Sequence, residues 1–470
     1  MNSLPTELIQ SLRNVESFNE EAFKAVHQSG TQIVSIRLNP PKAGQRTTSN
    51  EQLEKVPWSS NGYYLPQRPS FTLDPLFHAG AYYVQEASSM FLEEVLKQTV
   101  DLTQPIKVLD LCAAPGGKST LIQSIISNDS LLVSNEVIKT RVNILSENMT
   151  KWGAANVIVT NNDPTDFQRL KNYFDVIVVD APCSGSGLFR KDPNAISEWS
   201  GKNVELCARR QQRILADVFP SLKVGGVLIY STCSYSQQED EEIADWLVEE
   251  LKIESVKLNP PAGRAGVEEG WGIVETVSEK EKAYSYRFYP DKVKGEGFFI
   301  AAFKKGGSDP GAITEIKSQK SKSKNKKAKF DAKDIEILRP YLINADDFFF
   351  IKQNEEVIAI PLQLENELGI IQSALYIKKA GVKLGTLIRN ELIPAHELAV
   401  SNIINAAVPR QEVDKETALQ YLRREEIKIE STVKGWVLLT HQQLPIGWIK
   451  IIANRINNYY PPSWRILNKR

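Results

Sequence analysis

Alternating strand-like and helix-like segments between residues 106 and 303 constrain the fold of this chain more than any other feature. Short apolar runs occur at 107–111, 131–136, 156–160 and 174–180, and helical patterns separate them. Parallel strands are joined by crossovers of this length, so the pattern predicts an α/β fold with a doubly wound, Rossmann-like sheet. The run FDVIVVD at 174–180 is apolar almost throughout, which is typical of a central strand buried on both faces.

The same alternation continues along the chain and predicts where a ligand binds. A helix is predicted over 204–222, a strand with its following loop over 225–235, and a helix over 239–250. In open parallel sheets, ligands bind beyond the carboxyl ends of the strands. Residues that directly follow the predicted strands are therefore the candidates for function.

The composition changes between residues 304 and 329. This segment contains nine lysines, two acidic residues and almost no apolar residues. We predict a linker without packed structure, which is either a solvated spacer or a contact for RNA phosphates. Beyond it, strand-like runs predict a small β-rich module, and its aromatic and basic tail at 456–470 either faces RNA or forms the core of the module.

Overall charge and cysteine content restrict the class of protein. The chain has 57 basic and 57 acidic residues, so any RNA binding depends on local basic patches. Its four cysteines are too few for a disulfide framework, and they lack the spacing of zinc ligands. Neither a secretory signal nor a membrane-spanning run stands out, so we expect a soluble, cytoplasmic protein. We also expect a monomer that binds no metal.

A glycine-rich turn after the first predicted strand is the candidate cofactor site. It lies within DLCAAPGGKST at 110–120, where Gly116 and Gly117 let the backbone approach a ligand closely. Glu136 ends the second strand, where an acidic residue can hold ribose hydroxyls, and Asp163 follows the third strand, where it can face an adenine edge. Each carboxylate alone also fits a helix-start or turn residue, but together they predict a nucleotide-like cofactor. We expect Glu136 to be a surface residue without a core role.

Two cysteines follow the next two predicted strands, in DAPCSGSG at 180–187 and STCSY at 231–235. Cys183 and Cys233 lie in polar loops, whereas Cys207 fits the buried face of an amphipathic helix. A loop thiol at a ligand-binding edge indicates a nucleophile if its surroundings favour the thiolate or supply a base. The sequence therefore predicts cysteine chemistry at this edge.

Taken together, these motifs resemble those of the Sun-type RNA 5-methylcytosine methyltransferases. The similarity includes CAAPGGK, the two acidic residues above, DAPCSGSG and STCSY, and it extends through GAYYVQEASSM at 80–90 and GLFRKDPNAISEWS at 187–200. LIPAHELAV at 392–400 and LPIGWIKIIANRINNYYPPSWR at 444–465 are similar to the RsmF-type bacterial subgroup, which carries a PUA-like RNA-binding module.

The resemblance implies an S-adenosylmethionine-dependent enzyme that methylates carbon 5 of a cytosine in RNA. Its implied substrate is small-subunit (16S) ribosomal RNA, either free or in the assembled 30S subunit. Cys233 is implied to add to carbon 6 of the base, Cys183 to assist product release and Asp180 to stabilise the base. The residues implied to bind the cofactor are Cys112, Ala113, Ala114, Pro115, Gly116, Gly117, Lys118, Glu136, Asp163 and Asp180.

The resemblance and the composition also predict an order of domains. These are an N-terminal RNA-binding extension at 1–100, a class I methyltransferase domain at 101–304, a lysine-rich linker at 305–330, an α+β intermediate domain at 331–385 and a PUA-like, β-rich RNA-binding domain at 386–470.

Two other functions account for parts of the pattern. In DNA cytosine methyltransferases the nucleophile is the cysteine of a Pro-Cys pair, which here is Cys183, but Cys233 then has no role. A ribosome-assembly factor that binds RNA without catalysis has no need of two loop thiols. Both alternatives explain less of the sequence than an RNA methyltransferase does.

Overall fold

The computed structural model describes residues 4–43, 53–259, 270–307, 330–353, 355–453 and 455–467. Most of the predicted lysine-rich linker falls on 308–329 and lies outside the described residues, as do Lys469 and Arg470 of the tail. Within the described ranges, no helix is both long and apolar enough to cross a membrane.

The N-terminal region combines short helices with a three-stranded antiparallel sheet, in which β1 lies between β2 and β3. Its elements are α1 (Thr6–Leu12), α2 (Glu20–Gln28), β1 (Val34–Leu38), α3 (Pro40–Ala43), β2 (Gly62–Leu65), α4 (Pro75–His78), β3 (Tyr82–Val84) and α5 (Leu92–Thr99).

The next region forms the large central sheet and its covering helices. Its elements are β4 (Lys107–Asp110), α6 (Gly117–Ile125), β5 (Leu131–Asn135), α7 (Lys139–Trp152), β6 (Val157–Thr160), β7 (Phe174–Asp180), α8 (Pro193–Glu198), α9 (Gly201–Val218), β8 (Leu222–Thr232), α10 (Glu241–Leu251), β9 (Glu254–Val256), β10 (Val274–Val277), β11 (Tyr284–Phe288) and β12 (Phe298–Lys304).

The C-terminal region contains two further four-stranded sheets, β13-β14-β16-β17 and β18-β19-β20-β21. Its elements are α11 (Ala332–Leu338), β13 (Phe348–Gln353), β14 (Glu356–Pro361), α12 (Glu365–Ala374), β15 (Ile377–Ala380), β16 (Val382–Ile388), β17 (Glu391–Pro394), α13 (His396–Ala399), β18 (Arg410–Glu412), α14 (Lys415–Leu422), β19 (Gly435–His441), β20 (Leu444–Ile452) and β21 (Arg455–Asn458).

The central sheet has the strand order β10-β11-β12-β8-β7-β4-β5-β6-β15. Strands β8, β7, β4, β5 and β6 are mutually parallel. Beyond β8, each neighbouring pair is antiparallel: β12 with β8, β11 with β12 and β10 with β11. The predicted parallel, doubly wound sheet is thus confirmed at its centre. Because successive parallel strands end at one edge, the loops after β4, β5, β6, β7 and β8 lie on the same side of the sheet.

Strand β7 shows why this sheet is stable. Val176 and Val178 contribute to an apolar cluster on one face, and Ile177 and Val179 contribute to a second cluster on the other. All four side chains are fully buried. The continuous apolar run FDVIVVD therefore fills two cores at once, as the sequence predicts.

The C-terminal region is joined to the central sheet through β15. This strand pairs antiparallel with β6 and extends the sheet by one edge strand. Leu368 and Ile371 of α12 pack into the same apolar cluster as Ile177 of β7. The segment 331–385, predicted as an intermediate domain, consequently shares its core with the methyltransferase sheet.

Three regions of the chain meet at Lys42. Its ammonium group donates to the backbone oxygens of Ala79, Lys151 and Val400. These oxygens belong to the N-terminal region, to α7 and to the C-terminal region, so one half-buried lysine side chain joins all three. In the C-terminal tail, Tyr460 is fully buried in the core of the last sheet, and the core interpretation of the tail is correct for this residue.

Candidate active site

The glycine-rich turn after β4 is held in place from α7. Gly116 has a φ of 119°, a conformation that favours glycine, and α6 begins at the next residue. Arg141 donates to the backbone oxygen of Ala114 at 2.6 Å, and Asn148 donates to that of Pro115 at 2.8 Å. The turn is therefore fixed by two side chains of α7.

Asp110, which ends β4, is a site residue that the sequence analysis did not select. Its Oδ2 accepts a hydrogen bond from the Ser119 hydroxyl at 2.6 Å. Its Oδ1 is buried and has no hydrogen-bond partner among the described residues. Burial raises the pKa of Asp110 to about 7. Asp110 could have been predicted from the sequence because it ends the first strand, and Glu136 was predicted from the same kind of position at the end of the second strand.

Glu136 follows β5 and is buried, so the expectation of a surface carboxylate is wrong. Only 3% of the residue is exposed. Its Oε1 accepts from the backbone N–H of Ile138 at 2.8 Å, and its Oε2 lies 3.3 Å from Arg141. Glu136 thus anchors the start of α7 while its carboxylate remains at the carboxyl edge of the sheet.

Asp163 and Cys112 complete the cofactor residues predicted on the first three strands. Asp163 is half-buried, and its Oδ1 accepts from the backbone N–H of Thr165 at 3.1 Å, so one carboxylate oxygen is occupied by a turn. Cys112 is half-buried and packs on the apolar cluster beneath the sheet. Burial raises the pKa of the Cys112 thiol, which suits packing rather than nucleophilic chemistry.

Asp180 ends β7 and lies between the cofactor turn and the cysteine loops. Its Oδ2 forms an ion pair with Lys118 at 2.8 Å, and its Oδ1 accepts from the Ser231 hydroxyl at 2.8 Å. The side chain remains 37% exposed. The structure therefore brings together two predicted site residues, Lys118 and Asp180, and leaves the Asp180 carboxylate accessible to a ligand.

The two loop cysteines meet at the same edge. The sulfur atoms of Cys183 and Cys233 are 3.0 Å apart, and both residues are half-buried. The hydrogen bond to Cys233, together with burial, raises the pKa of the Cys183 thiol well above its ordinary value. In this hydrogen bond either sulfur can be the donor.

Close packing of the two loops explains this short distance. Strands β7 and β8 are parallel neighbours with Asp180 paired to Ser231, so their loops leave the sheet side by side. The backbone N–H of Gly187 donates to the backbone oxygen of Cys233 at 2.8 Å. A Cβ atom at position 187 would lie 2.7 Å from that oxygen, so only glycine permits this approach.

A buried ion network supports the loop that carries Cys233. Arg287 on β11 forms ion pairs with Asp240 at 3.0 Å and with Glu241, and it donates to the backbone oxygen of Tyr235 at 3.0 Å. Asp240 in turn accepts from the Thr232 hydroxyl at 2.7 Å. Sequence reasoning missed Arg287 because its partners are more than forty residues away along the chain.

Three protein-family models together match most of the chain. Residues 97–304 match the family described as 16S rRNA methyltransferase RsmB/F. Residues 4–87 match the N-terminal domain of 16S rRNA methyltransferase RsmF, and residues 409–466 match the methyltransferase RsmF PUA domain.

Curated relatives match over nearly the full length. Ribosomal RNA small subunit methyltransferase F of Pectobacterium atrosepticum is 31% identical over 483 aligned positions, which cover 98% of this chain and 95% of the relative. The protein of the same name from Shewanella piezotolerans is 29% identical and covers 91% of this chain and 90% of the relative.

Solved structures show the same fold. A methyltransferase homolog protein from Pyrococcus horikoshii aligns with a TM-score of 0.51 and 26% identity, covering 64% of this chain and 100% of that one. NSun6 from Pyrococcus horikoshii, solved with SFG, aligns with a TM-score of 0.52 and 20% identity over 65% of this chain and 99% of that one.

Fold and site together define a Rossmann-like, S-adenosylmethionine-dependent methyltransferase with an N-terminal domain and a C-terminal PUA domain. The chain belongs to the family of ribosomal RNA small subunit methyltransferase F.

Replacement of Glu136 provides a test of the cofactor site. Glu136→Gln keeps an oxygen that can accept from Ile138 but removes the negative charge, whereas Glu136→Ala removes both. We expect either variant to weaken S-adenosylmethionine binding by about 1.5–3 kcal/mol, the usual contribution of a charged hydrogen bond. Because Glu136 is buried, only the alanine variant is expected to lower the melting temperature as well. Calorimetric titration that finds wild-type affinity in both variants would assign Glu136 a purely structural role.

Proposed function

We propose that this protein transfers a methyl group from S-adenosylmethionine to carbon 5 of a cytosine in small-subunit ribosomal RNA. The observation that carries this proposal is the pair of thiols 3.0 Å apart at the carboxyl edge of the sheet, beside an accessible carboxylate. Carbon 5 of cytosine is a poor nucleophile, and covalent addition of a thiolate to carbon 6 is the means of activating it.

The residues around the glycine-rich turn fit the cofactor. Bound S-adenosylmethionine supplies an electrophilic methyl group and presents ammonium and ribose hydroxyl donors. Asp110 Oδ1 is a buried acceptor without a partner among the described residues, so a donor from a ligand would satisfy it. We assign cofactor binding to the turn at 112–118 and to Asp110, Glu136, Asp163 and Asp180.

Cys233 is the proposed nucleophile. Its thiolate adds to carbon 6 of the base, a sulfur–carbon bond forms, and the electrons of the ring double bond make carbon 5 nucleophilic. After carbon 5 has accepted the methyl group, its proton passes to solvent water, and the electrons of that carbon–hydrogen bond restore the ring double bond and expel the Cys233 thiolate. The resemblance of STCSY at 231–235 to the corresponding motif of RNA 5-methylcytosine methyltransferases supports Cys233, rather than Cys183, as the attacking sulfur.

Cys183 and Asp180 are assigned to the steps on either side of the transfer. Cys183 contacts Cys233 directly, so it is placed to assist when the sulfur–carbon bond breaks. Asp180 is positioned by Lys118 and Ser231, and its exposed carboxylate can bind the polar edge of the base and stabilise the adduct.

The substrate is proposed from the relatives and from the domains outside the sheet. The curated relatives described above are named for ribosomal RNA of the small subunit. We propose that the N-terminal extension at 1–100 and the PUA-like domain at 386–470 bind this RNA, because both flank the catalytic domain and contact each other through Lys42.

The proposed activity is tested with ribosomal RNA as free transcript and as 30S subunits that lack the modification. Incubation with enzyme and S-adenosylmethionine, followed by bisulfite sequencing, is expected to reveal one new 5-methylcytosine in at least one of the two substrates. Methylation at another atom, or at a base other than cytosine, would contradict the proposal.

A further inference from the structure

We propose that Glu239 is a positioning residue whose carboxylate bridges the two cysteine loops and fixes the spacing of their sulfur atoms. This inference deepens the proposed function and rests on it, since it concerns the same thiol pair. Glu239 is fully buried in the turn Gln237–Glu239, which precedes α10.

The carboxylate of Glu239 contacts the residue that follows each cysteine. Its Oε2 accepts from the hydroxyl of Ser184 at 2.5 Å and from the hydroxyl of Ser234 at 2.6 Å. Its Oε1 accepts from the backbone N–H of Ser184 at 2.7 Å. One side chain therefore bridges the loop after β7, which carries Cys183, and the loop after β8, which carries Cys233.

Other buried groups hold Glu239 itself in place. Gln211 on α9 donates to Glu239 Oε1 at 3.3 Å and to the backbone oxygen of Pro182 at 3.1 Å. The hydroxyl of Tyr230 lies within hydrogen-bond distance of two acceptors, the backbone oxygen of Glu239 at 2.6 Å and Gln211 Oε1 at 3.0 Å. The hydrogen bonds around Glu239 are consequently anchored on α9 and β8, two elements that contribute to the buried core.

The donors around Glu239 indicate that it acts as a carboxylate. It receives two N–H groups and two hydroxyl groups, and a backbone N–H can only donate. An ionised carboxylate accepts all four of these bonds at once, and these bonds offset the free-energy cost of burying its charge. Burial raises the pKa of Glu239, whereas the bonds from Ser184, Ser234 and Gln211 oppose that shift.

The two loops also make hydrogen bonds to each other that do not involve Glu239. The N–H of Gly187 donates to the oxygen of Cys233 at 2.8 Å, and the N–H of Tyr235 donates to the Ser186 hydroxyl at 2.9 Å. These contacts remain when Glu239 changes, so we expect a variant to fold with its loops less strictly aligned.

Binding of phenylarsine oxide reports the spacing of the Cys183 and Cys233 sulfur atoms in the absence of RNA. Its arsenic forms bonds to two thiol sulfurs and releases its oxygen as water, so tight capture requires two thiols held close together. Glu239→Gln is expected to weaken capture by at least about tenfold, because the second thiol loses effective concentration. It is also expected to lower kcat for RNA methylation while leaving KM and S-adenosylmethionine affinity unchanged.

Three further variants complete the experiment. Ser234→Ala removes one donor to Glu239 and is expected to show the same defects in milder form. Glu242→Gln changes an exposed carboxylate three residues away and should behave as wild type. Cys183→Ser should lose tight capture altogether, which identifies the pair being measured.

Wild-type capture and wild-type kcat in Glu239→Gln would overturn the proposal. So would a Glu239→Gln protein with a lowered melting temperature and no capture, if Ser234→Ala behaved as wild type, because Glu239 would then serve stability alone. Failure of the proposed function looks different: capture would depend on Glu239 as expected, while Cys233→Ala still methylated RNA.

Discussion

Cys233→Ala is expected to abolish methyl transfer to RNA, with a loss of at least about 10³-fold in rate. The reason is that the bond to carbon 6 is assigned to the Cys233 sulfur, and an alanine side chain has no group that can form it. The measurement is incorporation of labelled methyl groups from S-adenosylmethionine into ribosomal RNA, with cofactor affinity checked by calorimetry.

Cys207→Ala is the matched control for this variant. Cys207 is a buried thiol on α9, 5% exposed, as the sequence predicts for a packing cysteine. Its removal should lower the melting temperature slightly and leave the rate close to that of wild type. If Cys233→Ala retained activity comparable with this control, Cys233 would have no covalent role.

Cys183→Ala is expected to have the opposite signature, because it blocks release rather than attack. Cys233 can still add to the base and the methyl group can still be transferred, but the adduct lacks the neighbouring thiol that lies 3.0 Å away. The enzyme should complete about one methylation per active site and then remain bound to its product. A denaturing gel would show this as a slowly migrating RNA–protein band.

The same gel distinguishes the alternative in which Cys183 is the nucleophile. In that DNA-type arrangement the band would be lost in Cys183→Ala and retained in Cys233→Ala. The double variant should form no band in either arrangement, so it serves as the blank. Absence of a band in both single variants, with methylation intact, would exclude a covalent route through either thiol.

The proximity of the two cysteines could be predicted from sequence because it follows from a local rule. Both residues come directly after strands of one parallel sheet, and parallel neighbours end at the same edge. Lys118 and Asp180 came together for the same reason. Strand ends are readable from apolar runs, and the run FDVIVVD is confirmed as a strand buried on both faces.

The supporting contacts could not be predicted because they depend on tertiary packing. Glu239 lies in an acidic stretch that also suits a helix start, and only the structure shows its bonds to Ser184 and Ser234. The burial of Glu136 likewise depends on Arg141 and on the packing of α7. Strand β15 pairs with β6 across more than two hundred residues of sequence, a register that no local pattern specifies.

The covalent mechanism is tested most sharply by identifying the residue that becomes bonded to RNA in the wild-type enzyme. A transcript or 30S subunit with 5-fluorocytosine in place of cytosine traps the adduct, because the fluorine on carbon 5 cannot leave as the proton does. Protease digestion and mass spectrometry then identify the linked peptide. We predict an RNA link at Cys233, in the peptide that contains STCSY. A link at Cys183, or methylation of ordinary cytosine without any trapped adduct, would rule out Cys233 as the nucleophile.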